Sequence, residues 1–517
     1  MKFTELPQRC SMLLIVLTCI LIIPEIAVSQ KQKSKHTPPY NTLTNFNKKG
    51  EQLTRFSIVG DAIDAHDGEI ALFNGVYYLY GTSYDCGFEW GNKQAPFCGF
   101  KAYSSTDLVN WTDRGMLFDA GTPVWQSRCN GSTYGCFRPH VVFNKKNSLY
   151  VLWINVYDNV PGYRVFTSKT PTGPFVEVAE PKLAVNSDAP AAGLNNGDHD
   201  TFVDDDGTAY LAYTDWRTKG SIVIEKLNAD YTSGTGICVK AVTNGSTEAP
   251  ALFKRNGIYY VVYSDPNCGY CSGTGASYRT AKSPLGPWSD GIKISDNSCG
   301  GQPSFVSTIK LAGGSIFLFG SDLWNNAAKN EALANYYWAP LTFNNDGSIA
   351  PMSCLPSVKV PALKPGGNDI VKTEFKTLCD ISKSVQRFQS FKAEDTGILS
   401  TISFTTFKTK YPDAGLMFEI FRADSASHPT GQALKSELIP PGSIGWSARN
   451  VVIHPGIKVI KGAVYCLVVK SATATGCYGF AYSDLGTGDS GYSNDAGITF
   501  TTESNRTLKF KASIRHK

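Results

Sequence analysis

Ala251-Leu-Phe-Lys-Arg-Asn-Gly-Ile-Tyr-Tyr-Val-Val-Tyr263 decides the fold. Two short β-prone runs flank Asn256-Gly257, a dipeptide that accepts the positive φ angles of a tight hairpin turn. The phrase also stands at Glu69-Ile-Ala-Leu-Phe-Asn-Gly-Val-Tyr-Tyr-Leu-Tyr80, Val141-Val-Phe-Asn-Lys-Lys-Asn-Ser-Leu-Tyr-Val-Leu-Trp153 and Thr201-Phe-Val-Asp-Asp-Asp-Gly-Thr-Ala-Tyr-Leu-Ala-Tyr213. A looser copy runs from Ser304 to Phe319 around Gly313-Gly314. Hairpins spaced roughly 50–70 residues apart suit radial repetition, which leaves few strand edges exposed. Ser168-Lys-Thr-Pro-Thr-Gly-Pro-Phe175 and Lys282-Ser-Pro-Leu-Gly-Pro-Trp288 repeat in phase with the hairpins. Each is a tight turn delivering an aromatic that can wedge between sheets. The expectation is an all-β chain, a five-bladed β-propeller followed by a C-terminal β-sandwich.

Composition agrees. With 48 Gly, 12% aromatic and 18% charged residues among 517, the chain reads as globular and β-rich. A net charge of +5 is small for this length and gives no reason to expect nucleic acid. Lys2 and Arg9 precede the apolar run Met12 to Ile23, and Ala27-Val-Ser29 offers a cleavage site. That run is too short to span a bilayer, so residues 1–29 are expected to be a signal peptide of a secreted, extracellular protein with no membrane span. Cys10 and Cys19 fall in that segment, leaving twelve of the fourteen cysteines for disulfides. Cys86 with Cys98, Cys129 with Cys136, and Cys466 with Cys477 are close enough to pair locally, and Cys268 with Cys271 suits a loop disulfide. Acceptor sequons stand at Asn110, Asn130, Asn244 and Asn505.

Residues 30–55 are polar and read as a mobile leader, and 56–368 as the propeller. Pro356, Pro361, Pro365 and Gly366-Gly367 mark a linker. Beyond it, runs such as Leu399–Phe407, Leu416–Arg422 and Ala463–Val469 alternate at period two, which makes 372–517 the sandwich and a possible carbohydrate-binding module. Trp446, Tyr478 and Tyr482 are either a stacking platform or core. No candidate catalytic carboxylate lies beyond the linker, so the sandwich is expected to be dispensable for chemistry.

Glu248-Ala-Pro250 places a carboxylate at the mouth of a hairpin strand, where proline forbids helix. Here the chain resembles glycoside hydrolase family 43, whose acid motif is Glu-Gly/Ala-Pro before the same hairpin. Asp67, ten residues before Tyr77, matches the family's base, and Asp198, before Asp204-Asp-Asp-Gly207, its third acidic residue. The resemblance covers about 56–350 and implies hydrolysis of a galactan-, arabinan- or xylan-type polysaccharide or oligosaccharide by single displacement with inversion. Inversion needs one protonated carboxyl on the leaving oxygen and one carboxylate activating water from the opposite face. A third carboxylate beside the acid raises its pKa. Glu248 would be acid, Asp67 base and Asp198 modulator. Asp67 lies among Asp61, Asp64 and Glu69, and Asp200 competes with Asp198 on one strand face.

Ala65-His-Asp-Gly68, Phe137-Arg-Pro139, Ala276–Ala281 and Gly301-Gln302 look most like the exo-β-1,3-galactanase-type branch. That branch carries Gly where Asp67 stands and Glu where Phe137 stands. Arg138, His140, Asp200 and Gln302 are the candidate substrate contacts. Trp153, Trp216, Trp324 and Tyr84 are either stacking surfaces or inter-sheet packing. Gln302 near the family's metal-holding His leads to an expectation of no metal and no cofactor. The expected partner is the carbohydrate substrate alone, with a monomeric chain. The rival from another class is a non-catalytic, lectin-like propeller.

Overall fold

The computed structural model describes residues 39–88, 95–129, 135–156, 162–185, 196–265, 272–311, 314–324, 330–365, 374–486 and 488–516. The expected signal peptide, Asn130, Cys268, Cys271 and Gly366-Gly367 of the expected linker lie outside them. Among the described residues the only α-helix is Pro123–Cys129, and nearly everything regular is strand.

Four antiparallel four-stranded meanders and one three-stranded meander follow each other in sequence. The first is His66–Phe73, Val76–Thr82, Phe100–Ser105 and Thr112–Met116; the second is Cys136–Asn144, Leu149–Val156, Tyr163–Ser168 and Val176–Ala179. The third is Asn196–Val203, Ala209–Asp215, Ser221–Leu227 and Gly234–Val239, and the fourth Glu248–Arg255, Ile258–Ser264, Ala276–Ala281 and Ile292–Ser295. Gln302–Leu311, Gly314–Leu323 and Asn335–Pro340 make the fifth. Asn74-Gly75 and Asn256-Gly257 turn their hairpins with both residues at positive φ, as the sequence predicts.

Apolar clusters show how the sheets meet. Tyr80, Phe100, Leu152 and Phe166 pack the first sheet on the second, and Trp153, Val165, Leu211 and Tyr213 the second on the third. Ala212, Ile222, Leu252 and Val261 join third to fourth, and Phe253, Val262, Phe317 and Phe319 fourth to fifth. Leu79, Tyr103, Leu318 and Trp338 join the fifth back to the first. Alternation makes this possible: Ala212 faces one neighbour while Leu211 and Tyr213 face the other. Each fully buried large side chain contributes about 1.5–3 kcal/mol. The leading strands of the sheets are neighbours in the same cyclic order.

Part of the expected leader is a strand. Tyr40–Thr44 pairs with Ser357–Pro361, because Leu43 and Val360 are fully buried against the first and fifth sheets. Beyond residue 374, a seven-stranded and a six-stranded antiparallel sheet share a core that includes Ile402, Phe404, Phe418, Leu467 and Phe480. Tyr478 and Tyr482 are buried in that core, so neither forms an exposed platform.

Disulfides join Cys86–Cys98, Cys129–Cys136, Cys299–Cys354 and Cys379–Cys477. The local Cys466–Cys477 pairing is not formed: Cys466 is a free thiol. The two lie in different sheets, and Cys477 has Cys379 on its neighbouring strand.

Candidate active site

The site is built by a shared irregularity. In each of the first four sheets, two residues of the leading strand oppose one on its partner. These are Asp67-Gly68 against Gly81, Arg138-Pro139 against Ile154, Gly197-Asp198 against Thr214, and Ala249-Pro250 against Tyr263. Such bulges bend a strand and re-aim its side chains. Asp67, Arg138 and Ala249 occupy the left-handed region there, at φ 56°, 57° and 49°. Every candidate carboxylate sits in or beside a bulge. Period-two reasoning therefore fails at this point, and Asp67 and Glu69 reach different surroundings.

Asp67 is 5% exposed. Its Oδ1 accepts from Thr82 Oγ1 at 2.7 Å and from the Arg138 backbone N–H at 3.3 Å, and its Oδ2 accepts from the Tyr84 hydroxyl at 3.2 Å. Its own N–H donates to Asp322 Oδ2 at 3.0 Å. Burial pushes its carboxyl up to about 7; Arg138 opposes this and Asp322 adds to it.

Glu248 opens the leading strand of the fourth sheet and is partly exposed. Gln302 Nε2 donates to its Oε1 at 2.7 Å, and Trp324 Nε1 fixes that amide by donating to Gln302 Oε1 at 3.1 Å. Burial first, then the like charge of Asp198, raises the Glu248 carboxyl to about 8. Asp198 Oδ2 accepts from Arg138 Nη2 at 2.9 Å. The same guanidinium is anchored on the carbonyls of Pro303 and Ser304 at 3.1 and 3.3 Å. One buried arginine thus meets Asp67 with its backbone and Asp198 with its side chain.

The structure separates Asp198 from Asp200. Asp200 Oδ2 accepts from Leu252 N–H at 2.6 Å, and Oδ1 lies 3.1 Å from His140 Nδ1. Glu69 Oε1 accepts from Val141 N–H at 2.6 Å, with its other oxygen 3.8 Å from the same imidazole. Asp200 and His140 are 7% and 0% exposed. Both thus reach across to the leading strands of neighbouring sheets. Atoms of Glu69, His140 and Asp200 gather within 4.8 Å of one another. Burial opposes charging His140, yet the two carboxylates raise its pKa. Because each carboxylate also holds a backbone N–H of the next sheet, the trio works as an electrostatic tie between leading strands.

Sequence reasoning missed Thr82, Asp322 and the hydrogen-bonding role of Tyr84. Of the candidate stacking aromatics, Trp153, Trp324 and Tyr84 are all buried, and the last two meet edge-to-face at 5.9 Å beside Gln302 and Asp67. Phe137 stacks on Phe88 at 5.5 Å.

A carboxyl whose pKa is raised by burial and a like charge, and a second set in its own hydrogen-bonding shell, are the parts a glycosidase-type site requires. Residues 59–299 match the model described as Glycosyl hydrolases family 43. The chain is 30% identical over 231 residues to beta-D-galactofuranosidase xynD of Aspergillus niger, covering 43% of this chain and 62% of that protein. It is 27% identical over 266 residues to arabinoxylan arabinofuranohydrolase of Bacillus subtilis, covering 44% and 49%. The chain thus spans less than two thirds of either curated relative. It shares its fold with the crystal structure of an exo-beta-1,3-galactanase from Clostridium thermocellum, at TM-score 0.52 and 20% identity, covering 90% of this chain and 99% of that one.

Proposed function

We propose that this chain is a secreted glycoside hydrolase that cleaves galactan-, arabinan- or xylan-type polysaccharide or oligosaccharide by inverting single displacement. The observation that carries the reading is the Glu248–Asp198–Arg138–Asp67 constellation within a family 43 region. Glu248, held protonated, donates to the glycosidic oxygen as the bond breaks. Asp67 takes a proton from the water that attacks the anomeric carbon from the opposite face. Arg138 and Asp198 set the charge around the acid, and Gln302 orients it.

The architecture that goes with this reading is a five-bladed β-propeller, its blades being the five sheets closed in a ring, followed by a β-sandwich. Four disulfides among the described residues support an oxidising, extracellular location. Exposed sequon residues Asn110, Asn244 and Asn505 support it as well. Among the described residues no helix is long and apolar enough to cross a membrane. We read the chain as a monomer.

Incubation with aryl glycosides and polysaccharides of these classes tests the proposal, with Glu248→Gln beside the wild type. Loss of general acid catalysis costs ~10²–10⁴-fold on poor leaving groups and less on activated aryl glycosides. Wild-type rates in a folded Glu248→Gln chain would remove Glu248 from the mechanism, and binding without turnover in the wild type would favour the lectin-like alternative.

A further inference from the structure

Thr82 and Tyr84 both donate to Asp67, but they are held differently. Thr82 is the last residue of its strand, in register with His66. Tyr84 lies beyond the ladder: its ring packs among His66, Phe88 and Trp324, and its backbone is set by the turn that carries it. Asp64, 1% exposed, grips that turn from within. It accepts from Ser83 Oγ at 2.6 Å, Tyr84 N–H at 2.9 Å and Asp85 N–H at 3.2 Å.

The two-sheet region beyond residue 374 grips it from the other side. Trp446 N–H donates to the Asp85 carbonyl at 3.2 Å, Ser447 N–H donates to Asp85 Oδ1 at 2.7 Å, and Arg449 pairs with Asp85 Oδ2. Gly87 lies against the Trp446 indole so closely that a Cβ there would come within 2.8 Å of the ring. Lys408 Nζ stands 4.2 Å from the Trp446 ring centroid, and Asn330 Nδ2 donates to the Trp446 carbonyl at 3.1 Å. The indole therefore packs on the turn that holds Tyr84 and is not an exposed sugar platform.

We propose that the Gly445–Arg449 segment is a working part of the active site: it clasps the Ser83–Asp85 turn so that Tyr84 keeps its hydroxyl on Asp67. Tyr84 and Asp85 are positioning residues, and the region 372–517, expected to be dispensable, completes the setting of the base. This rests on the reading of Asp67 as base. The physical ground is that Asp67 Oδ2 is fixed by Tyr84, and a misplacement of about 1 Å in a reacting group costs up to ~10²-fold in rate.

The test is a double-mutant cycle in the full-length chain. Trp446→Ala/Arg449→Met opens the clasp from the C-terminal side, and Tyr84→Phe removes the hydroxyl while keeping the buried ring. Each is expected to lower kcat by about tenfold with KM within about twofold, and the combination to be no slower than Tyr84→Phe alone. Multiplying effects, or a wild-type kcat in Tyr84→Phe, would overturn the proposal. A wild-type chain that hydrolyses nothing would instead defeat the reading of Asp67. In that event hydrogen exchange of the amides of residues 83–88 still decides the clasp. Faster exchange in the Trp446→Ala/Arg449→Met chain supports it, and unchanged exchange overturns it.

Discussion

Replacing Asp198 with asparagine keeps the shape of the modulator and removes its charge. Asp198 acts on Glu248 in two ways. Its own negative charge raises the acid's pKa, and its contact with Arg138 Nη2 neutralises a buried cation that lowers it. Asp198→Asn removes the first effect and unmasks the second, so both changes push the Glu248 pKa down. One like charge near a carboxyl is worth on the order of one pKa unit, about 1.4 kcal/mol. Adding the freed arginine, the acid falls from about 8 by roughly 1.5 units. With Glu248 as the proposed acid, activity requires it protonated and is lost as pH rises through its pKa, so the alkaline limb of kcat/KM moves to lower pH. Asp67 must be ionised and titrates near 7, so the limb now crosses the base's own. Treating the two groups as independent, the productive fraction at the optimum drops from roughly 0.6 to roughly 0.1. The assay is a pH profile of kcat/KM on a glycoside with a poor leaving group. An alkaline limb that stays in place, or moves upward, would refute the assignment of Asp198 as modulator.

Asp67→Asn is expected to abolish hydrolysis whatever the leaving group, because every substrate of an inverting enzyme needs the activated water; initial rates across a leaving-group series check this. Gly81→Ala would drive a Cβ to within 2.0 Å of the Ala65 backbone, directly opposite the Asp67-Gly68 bulge. It is expected to cost about 1–3 kcal/mol in denaturant unfolding and to lower kcat by displacing Asp67.

The repeat was legible because Asn-Gly turns and period-two alternation are local chemistry, written wherever they occur. Asn74-Gly75 and Asn256-Gly257 turn as their residue types demand. Glu248 stood out because Pro250, two residues on, marks the mouth of a hairpin strand. The bulges were not, because an extra residue is defined only against the partner strand. That is why Asp67 does not share surroundings with Glu69. Cys379–Cys477 depends on strand order within a sheet, which spacing along the chain does not encode. The strand at Tyr40–Thr44 depends on Ser357–Pro361, more than 300 residues away. Its five residues carry too little pattern of their own.

Proton NMR of the first sugar released, recorded before mutarotation, tests the central claim most directly. With Glu248 as acid and Asp67 activating water, the first-formed anomer carries the configuration opposite to that of the glycoside cleaved. A first-formed anomer that retains the substrate's configuration would mean a covalent glycosyl-enzyme and would contradict the single-displacement account.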